Sequence, residues 1–320
     1  MLDIIIPVYK AKKTLLRLLM SIAVQKDAKN YKVYLVIDAD KEDYSEEIKF
    51  IESYYSISIL NLNINSGPGV ARQYGINNSN NPYIMFMDAD DYFYNPFSLS
   101  KILREIKLND FDLLISNFKY ERDNEFLIKK KDVTWLHGKV YRRKFLDENN
   151  IMFNNSRANE DNGFNRLFLL NNPKIKYLDD ITYVYSENSE SITRKNNREY
   201  KFWCLEYLAY NINWAMDIMI KKNKNLNSVS RLSLNLLVAL YYYYLEYYGE
   251  YDVERIIEWS KDTYNIYMLL KEKITKSDLY NALNDKENEY SGKHINKLIT
   301  FDEFLKKVSE YNDRCNNSSI

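Results

Sequence analysis

The segment Asp88-Ala89-Asp90-Asp91 sets three carboxylates within four positions. Two like unit charges about 4 Å apart repel by about 4 kcal/mol at an effective dielectric of about 20, so acids this close converge only around a cation or with a displaced pKa. Oxygen ligands with no neighbouring Cys or His favour a hard ion, Mg²⁺ or Mn²⁺, over zinc. A solvated acidic turn is the simpler reading of a bare Asp-x-Asp, and the surroundings decide between the two.

Those surroundings begin with Tyr83 to Met87, an uninterrupted apolar and aromatic run after Asn81-Pro82. Its length and flanks predict a strand buried on both faces, with the acids where it emerges. Upstream, residues 2–8 predict a strand and residues 12–25 a helix, with Leu15, Leu18, Leu19 and Ile22 at helical spacing. Tyr31 to Ile37 predicts a second strand ending in Asp38, followed by a helix over Glu46 to Tyr54. Ile57 to Leu62 is the third strand, and the turn at Asn65-Ser66-Gly67-Pro68-Gly69 leads into a helix from Val70 to Ile76. This alternation predicts an α/β fold: a Rossmann-like, mostly parallel sheet with helices on both faces. Short connections then set Tyr9, Asp38 and Asp88 along the carboxyl edge, where open α/β sheets bind ligands.

Beyond the acids, Pro96 to Leu108 reads as a helix, Phe111 to Phe118 as a strand, Val133 to Tyr141 as extended and Arg143 to Asn149 as a helical turn. Asn159 to Leu170 reads as a helix and Ile175 to Tyr185 as a strand. From about Glu199 the pattern becomes helical, with long periods over Tyr200 to Ile220 and Val229 to Tyr248, then Val253 to Ser260, and weaker ones at Lys276 to Leu283 and Asp302 to Tyr311. A domain boundary near Lys195 follows, giving 1–195 and a helical 196–320.

Composition limits the function classes. Lys plus Arg and Asp plus Glu number 45 each, so no global basic field draws the chain to nucleic acid. Cys204 and Cys315 lie far apart, which argues against a disulfide framework or a Cys-based zinc site and for a reducing compartment. No run reaches the roughly 18–20 apolar residues that span a bilayer, and Leu2 to Pro7, with Asp3 so early, is a poor signal peptide. The expectation is a cytoplasmic protein, at most peripheral at a membrane.

Taken together, Ile6-Pro7-Val8-Tyr9, Val36-Ile37-Asp38 followed by Asp43, Gly67 to Arg72 before a helix, Asp88-Ala89-Asp90-Asp91, Lys139 to Arg143, and Glu160-Asp161 before Phe164 resemble the inverting family 2 glycosyltransferases of GT-A fold. The order and spacing carry the likeness, over roughly the first 195 residues. It implies a nucleotide-sugar donor, a UDP-sugar by preference, a saccharide or protein acceptor, and Mn²⁺ or Mg²⁺. Pro7 and Tyr9 would pack the uracil, a task that suits a flat ring with a polar tip. Asp38 would accept from the base N–H, and Arg72 would lie near base and phosphates. Asp88 would bond the ribose, Asp90 would hold the metal, and Asp91 would stand behind it. Asp161 would be the general base that takes the acceptor hydroxyl's proton, favoured over Glu160 by its place in the motif. His137, where relatives commonly carry Trp, would touch acceptor or diphosphate, and Lys139 or Arg194 would supply positive charge at the diphosphate. One departure stands out: Asp38-Ala39-Asp40-Lys41 replaces the common Asp-Asp-Gly-Ser and leaves the part of Asp40 open.

The helical stripe Leu232, Leu236, Ala239, Leu240, Tyr243 and Tyr247 reads as core packing. A homo-oligomer interface, an acceptor platform and a peripheral membrane contact stay open for these C-terminal helices. Two other functions compete. A nucleotidyltransferase lacks its Gly-rich loop here, where Pro7 to Ala11 stands; a catalytically inactive nucleotide-binding scaffold has no need of Asp38, Asp88, Asp90 and Asp161 together.

Overall fold

Strand β1 (Leu2–Val8) is apolar apart from Asp3 and buried almost throughout, because helices cover both faces of the sheet at this point. It lies between β2 (Tyr31–Asp38) and β4 (Tyr83–Phe86), parallel to both. β3 (Ile57–Leu62) extends the parallel set beyond β2. Parallel neighbours need crossovers, supplied by α1 (Leu15–Ala23), α2 (Ser45–Glu52) and α3 (Pro68–Asn77). Residues 1–122, 125–186, 197–291 and 298–317 are described by this computed structural model.

Alternation along β1 divides the helices. Ile4 and Ile6 join Leu15, Leu18, Leu19, Ile22, Ile48 and Ile51 in one core, so α1 and α2 share a face. Ile5 points to the other face and meets α3 at Gly75, where an added Cβ would lie 2.4 Å from Ile5 Cγ2 and 3.2 Å from Val36 Cγ2. The helix rides directly on the sheet. On the same face Phe86 meets Phe164 of α6 (Glu160–Leu170), which stacks on Phe153 with ring centres 4.1 Å apart.

The second half of the sheet is mixed. β8 (Lys139–Arg142) runs antiparallel between β4 and β6 (Leu113–Arg122). β9 (Ile175–Tyr185) runs parallel to β6, and β5 (Tyr92–Phe93) closes the far edge antiparallel to β9. β7 (Glu125–Lys129) forms a hairpin with β6. α4 (Ser98–Leu108) and α5 (Arg143–Asn149) complete the unit. Residues 87–91 alone carry the chain from β4 to β5, on opposite sides of β8, β6 and β9. Four strand spacings come to about 19 Å on a flat sheet, close to the full reach of six extended residues, about 20 Å. This connector is a turn closed by Asp91 N–H donating to the Asp88 carbonyl, so the sheet must curl to bring its edges together.

The α/β architecture matches the expectation, and the parallel β1, β2 and β4 set Tyr9, Asp38 and Asp88 at the carboxyl edge. The short β5 and the β7 hairpin were not foreseen. The chain divides into two compact units, Met1–Lys195 and Asn196–Ile320. In the second, α8 (Leu226–Tyr247) is buried nearly all round, packed by α7 (Arg198–Lys221), α9 (Glu254–Leu270), α10 (Lys276–Glu289) and α11 (Phe301–Asn317). Leu236, Leu240 and Tyr247 of the expected stripe are core residues, and Leu232, Ala239 and Tyr243 are half-buried. No helix among the described residues is long and apolar enough to cross a membrane.

Gly75→Ala tests how tightly α3 is seated. Helix propensity favours Ala by about 1 kcal/mol, but overpacking against the stiff, buried Ile5 costs about 1–3 kcal/mol. The expected outcome is net destabilisation, read as a lower urea midpoint with unchanged slope.

Candidate functional site

The acids at the end of β4 occupy three different environments. Asp91 is fully buried: its carboxylate accepts the Ser186 N–H at 2.9 Å and the Tyr183 hydroxyl, which fastens the turn to β9. Burial, with Asp88 and Asp90 alongside, pushes its pKa well above the usual carboxylate range. Asp88 is half-buried. Burial works against its ionisation, but the Arg72 guanidinium, 2.6 Å away, and His137 outweigh it and hold its pKa low. Its backbone N–H donates to the Tyr183 hydroxyl oxygen at 3.3 Å, so one tyrosine spans two residues of the turn. Asp90 is half-buried, and its carbonyl accepts from Arg17.

His137 stands across from them on the segment before β8. Its ring is stacked on Tyr185 at 4.5 Å and on Tyr183 at 5.1 Å. Nδ1 lies 3.8 Å from Asp91 Oδ2. Burial lowers its pKa to about 4, which leaves a neutral imidazole at pH 7. Asp88, Asp91 and His137 each offer a ligand atom, all within 4.8 Å of one another. Octahedral bonds of about 2.1 Å set ligand atoms about 3–4.2 Å apart, so this donor set fits a divalent ion with small side-chain movement. Asp90, the acid that the resemblance assigns to a metal, stands beside this trio rather than within it.

Asp38 sits at the end of β2, 3% exposed. One carboxylate oxygen accepts the Ser66 N–H at 2.8 Å, and the other the Gly67 N–H at 2.8 Å and the Asn65 amide at 3.2 Å. It therefore shapes the loop that starts α3, where Gly67 has a φ of +90° that suits glycine. Asp40 ties two loops together: its carboxylate accepts the Lys10 N–H and the Tyr44 hydroxyl. Tyr9 follows β1, 47% exposed, with the Lys10 ammonium 5.2 Å from its ring centre. Pro7 is partly buried, in register with Val36.

Arg72, on α3, is buried. Nη2 donates to Asp88 Oδ1, and Nη1 donates to Glu160 Oε1 at 2.7 Å. Burial opposes its charge, but the two carboxylates overcome that and raise its pKa. Asp161 follows Glu160 in the first turn of α6, where the helix dipole favours acid. Burial first, then Glu160, lifts the Asp161 pKa to about 7. Lys139 is fully buried, its ammonium donating to the Trp135 carbonyl and lying 3.4 Å from Asp132, and burial lowers its pKa to about 8. Arg194 lies outside the described residues.

Residues 3–158 match the family model for glycosyl transferase family 2. Over this stretch the chain is similar to the family 2 glycosyltransferases. Poly(ribitol-phosphate) beta-N-acetylglucosaminyltransferase TarS of Staphylococcus aureus is 27% identical over 207 residues, 59% of this chain and 36% of that protein. The poly(ribitol-phosphate) beta-glucosyltransferase of Bacillus spizizenii is 27% identical over 202 residues, 58% of this chain and 32% of its own. The chain thus spans about a third of the length of these curated relatives. The crystal structure of S. aureus TarS 1–349 in complex with UDP-GlcNAc superposes with a TM-score of 0.66 at 18% identity, over 98% of this chain and 91% of that one. The mannosyltransferase PcManGT from Pyrobaculum calidifontis, in complex with GDP-Man and Mn²⁺, does so with a TM-score of 0.54 at 11% identity, over 97% and 86%. At these identities the likeness speaks for the fold, which agrees with the GT-A reading of the sequence.

Within the unit Met1–Lys195 the structure brings Asp38, Arg72, Asp88, Asp91, His137 and Asp161 to the carboxyl side of the sheet. The sequence offers Glu160 only as the less favoured candidate for the base, and it does not point to Tyr183 or Tyr185. Nothing marks a tyrosine late in a strand as the partner of an acid 92 residues earlier. Asp38→Asn is expected to leave one of the Ser66 and Gly67 N–H groups facing an amide NH₂. A buried donor without its acceptor costs about 1–3 kcal/mol, to be read in the urea midpoint.

Proposed function

We propose that this chain is a metal-dependent, inverting glycosyltransferase that moves a sugar from a nucleotide donor, a UDP-sugar, onto a hydroxyl of a saccharide or protein. The observation that carries the reading is the pair of ion contacts made by Arg72, one to Asp88 in the acidic turn and one to Glu160, the neighbour of Asp161. A charge-gathering turn and a carboxylate with a pKa of about 7 are then near enough for Asp88 to act on Asp161 through its charge. The first suits a leaving diphosphate and the second a proton acceptor.

In this scheme the Tyr9 ring and Asp38, at the ends of adjacent parallel strands, receive the uracil, and Asp88 receives the ribose. The acceptor oxygen attacks the anomeric carbon as the bond to the phosphate oxygen breaks, and its proton passes to Asp161. A single displacement inverts the anomeric centre. Asp88, Asp91 and His137, with Asp90 beside them, would hold Mn²⁺ or Mg²⁺, which stabilises the charge gained by a departing diphosphate. The neutral His137 imidazole is in the form that can ligate a metal. Two relatives bear names that specify transfer to poly(ribitol phosphate), so a polyol phosphate chain joins saccharides and proteins among acceptors to test.

Asp161→Asn is expected to abolish transfer and to leave UDP affinity within about threefold of wild type, measured by calorimetry with Mn²⁺. Asp90→Asn should weaken Mn²⁺-dependent UDP binding. Wild-type turnover of either variant would sink the assignment. A base must be deprotonated, so the transfer rate of the wild type should rise with pH through about 7, following Asp161. Because the folded pKa lies above the unfolded one, the stabilising protonated form is lost as pH rises past it. Asp161→Asn should therefore raise the melting temperature more at pH 8 than at pH 5.

A further inference from the structure

Glu160 has no part in the chemistry just described, yet it is 7% exposed and points to the interior. Its partner is the Nη1 end of Arg72, whose Nη2 end holds Asp88. We infer that Glu160 is a positioning residue: through the Arg72 guanidinium it fixes the first turn of α6, which carries Asp161, against Asp88 at the end of β4. The inference rests on the transferase reading for what is positioned, and on the geometry alone for the coupling.

The guanidinium is planar, so carboxylates on its two ends are held at a set separation and angle. Three elements distant in sequence meet there: α3 brings Arg72, the turn after β4 brings Asp88, and α6 brings Glu160. Little else secures the guanidinium. Arg72 Nε is buried without a hydrogen-bond partner among the described residues, and the Phe153 ring centre lies 5.9 Å from Cζ. Glu160 is confined in turn: a Cβ on Gly69 would lie 2.8 Å from its Cγ, so the α3 backbone walls its side chain. Removing Glu160 would leave the cation with Asp88 as its one remaining carboxylate contact and free the guanidinium to turn toward it. The disturbance would reach Asp88, which Glu160 does not touch. A displacement of about 1 Å in a reacting array can cost about a hundredfold in rate.

The test is a double-mutant cycle on UDP affinity, by calorimetry with Mn²⁺, together with steady-state transfer. Glu160→Ala is expected to weaken UDP binding about tenfold and to lower kcat about a hundredfold. Glu160→Gln, which keeps an oxygen for Nη1, should bind UDP within about threefold of wild type. In an Arg72→Ala background, Glu160→Ala should change UDP affinity by less than about twofold. Equal factors in both backgrounds, or a Glu160→Ala protein with wild-type affinity and turnover, would overturn the inference. Should Glu160→Ala fail to fold, Glu160→Asp decides: the shorter acid keeps its charge but falls short of Nη1, and wild-type kcat in that variant would overturn the positioning role. If the wild type binds no UDP, the donor reading fails by itself. The coupling is then read from melting temperatures, where the effects of Glu160→Gln and Asp88→Asn should be non-additive with Arg72 present and additive without it.

Discussion

A guanidinium cannot shed its charge, so Arg72, once buried, commits the structure around it. The cost of removing a cation from water is met only when counter-charges sit at hydrogen-bond distance in good geometry, and here two carboxylates do so. That requirement reaches outward. α3 must lie low enough on the sheet for Arg72 to reach Asp88, which explains why Gly75 faces Ile5 and Gly69 faces Glu160 with no room for a Cβ. The loop ahead of α3 must then be held, and Asp38 holds it through the Ser66 and Gly67 N–H groups. One paired cation thus sets the seating of a helix, the shape of its leading loop and the state of an acid at the edge of the sheet.

The curl of the sheet is the second constraint. With only residues 87–91 between β4 and β5, the far edge must come round toward the near one, and β9 delivers Tyr183, Tyr185 and Ser186 to the acidic turn. His137 is clasped by two of those tyrosines and excluded from bulk water. A neutral, oriented imidazole beside two acids is therefore a product of sheet topology as much as of the local sequence.

How much of this was legible follows from which interactions are local. The β1-to-β4 alternation could be read because parallel strands buried on both faces are continuous apolar runs and their crossovers are amphipathic helices. The same logic set Tyr9, Asp38 and Asp88 at one edge. The mixed half was read as separate elements without its order, since β8 is four residues long and pairs at both edges with strands distant in sequence. β5, two residues long, offers no periodicity at all. At the site, residue types at strand ends and helix starts pointed to Asp88 and Asp161. The tasks of Glu160, Tyr183 and Asp40 depend on partners tens of residues away and on burial, neither of which leaves a mark on the sequence.

The acidic turn shows how one sequence argument divides once partners are known. Three carboxylates within four positions suggested a cation or a displaced pKa, and the fold supplies the second without waiting for the first. Arg72 lies against Asp88 and holds its pKa low, while burial beneath Tyr183 pushes the pKa of Asp91 well above the usual carboxylate range. The repulsion that seemed to demand an ion is in part dissolved by giving neighbouring acids opposite environments, as sites that run acid and base chemistry together do. The case for a metal therefore rests on the donor set of Asp88, Asp91 and His137 and on the chemistry of a departing diphosphate, not on the crowding of charge.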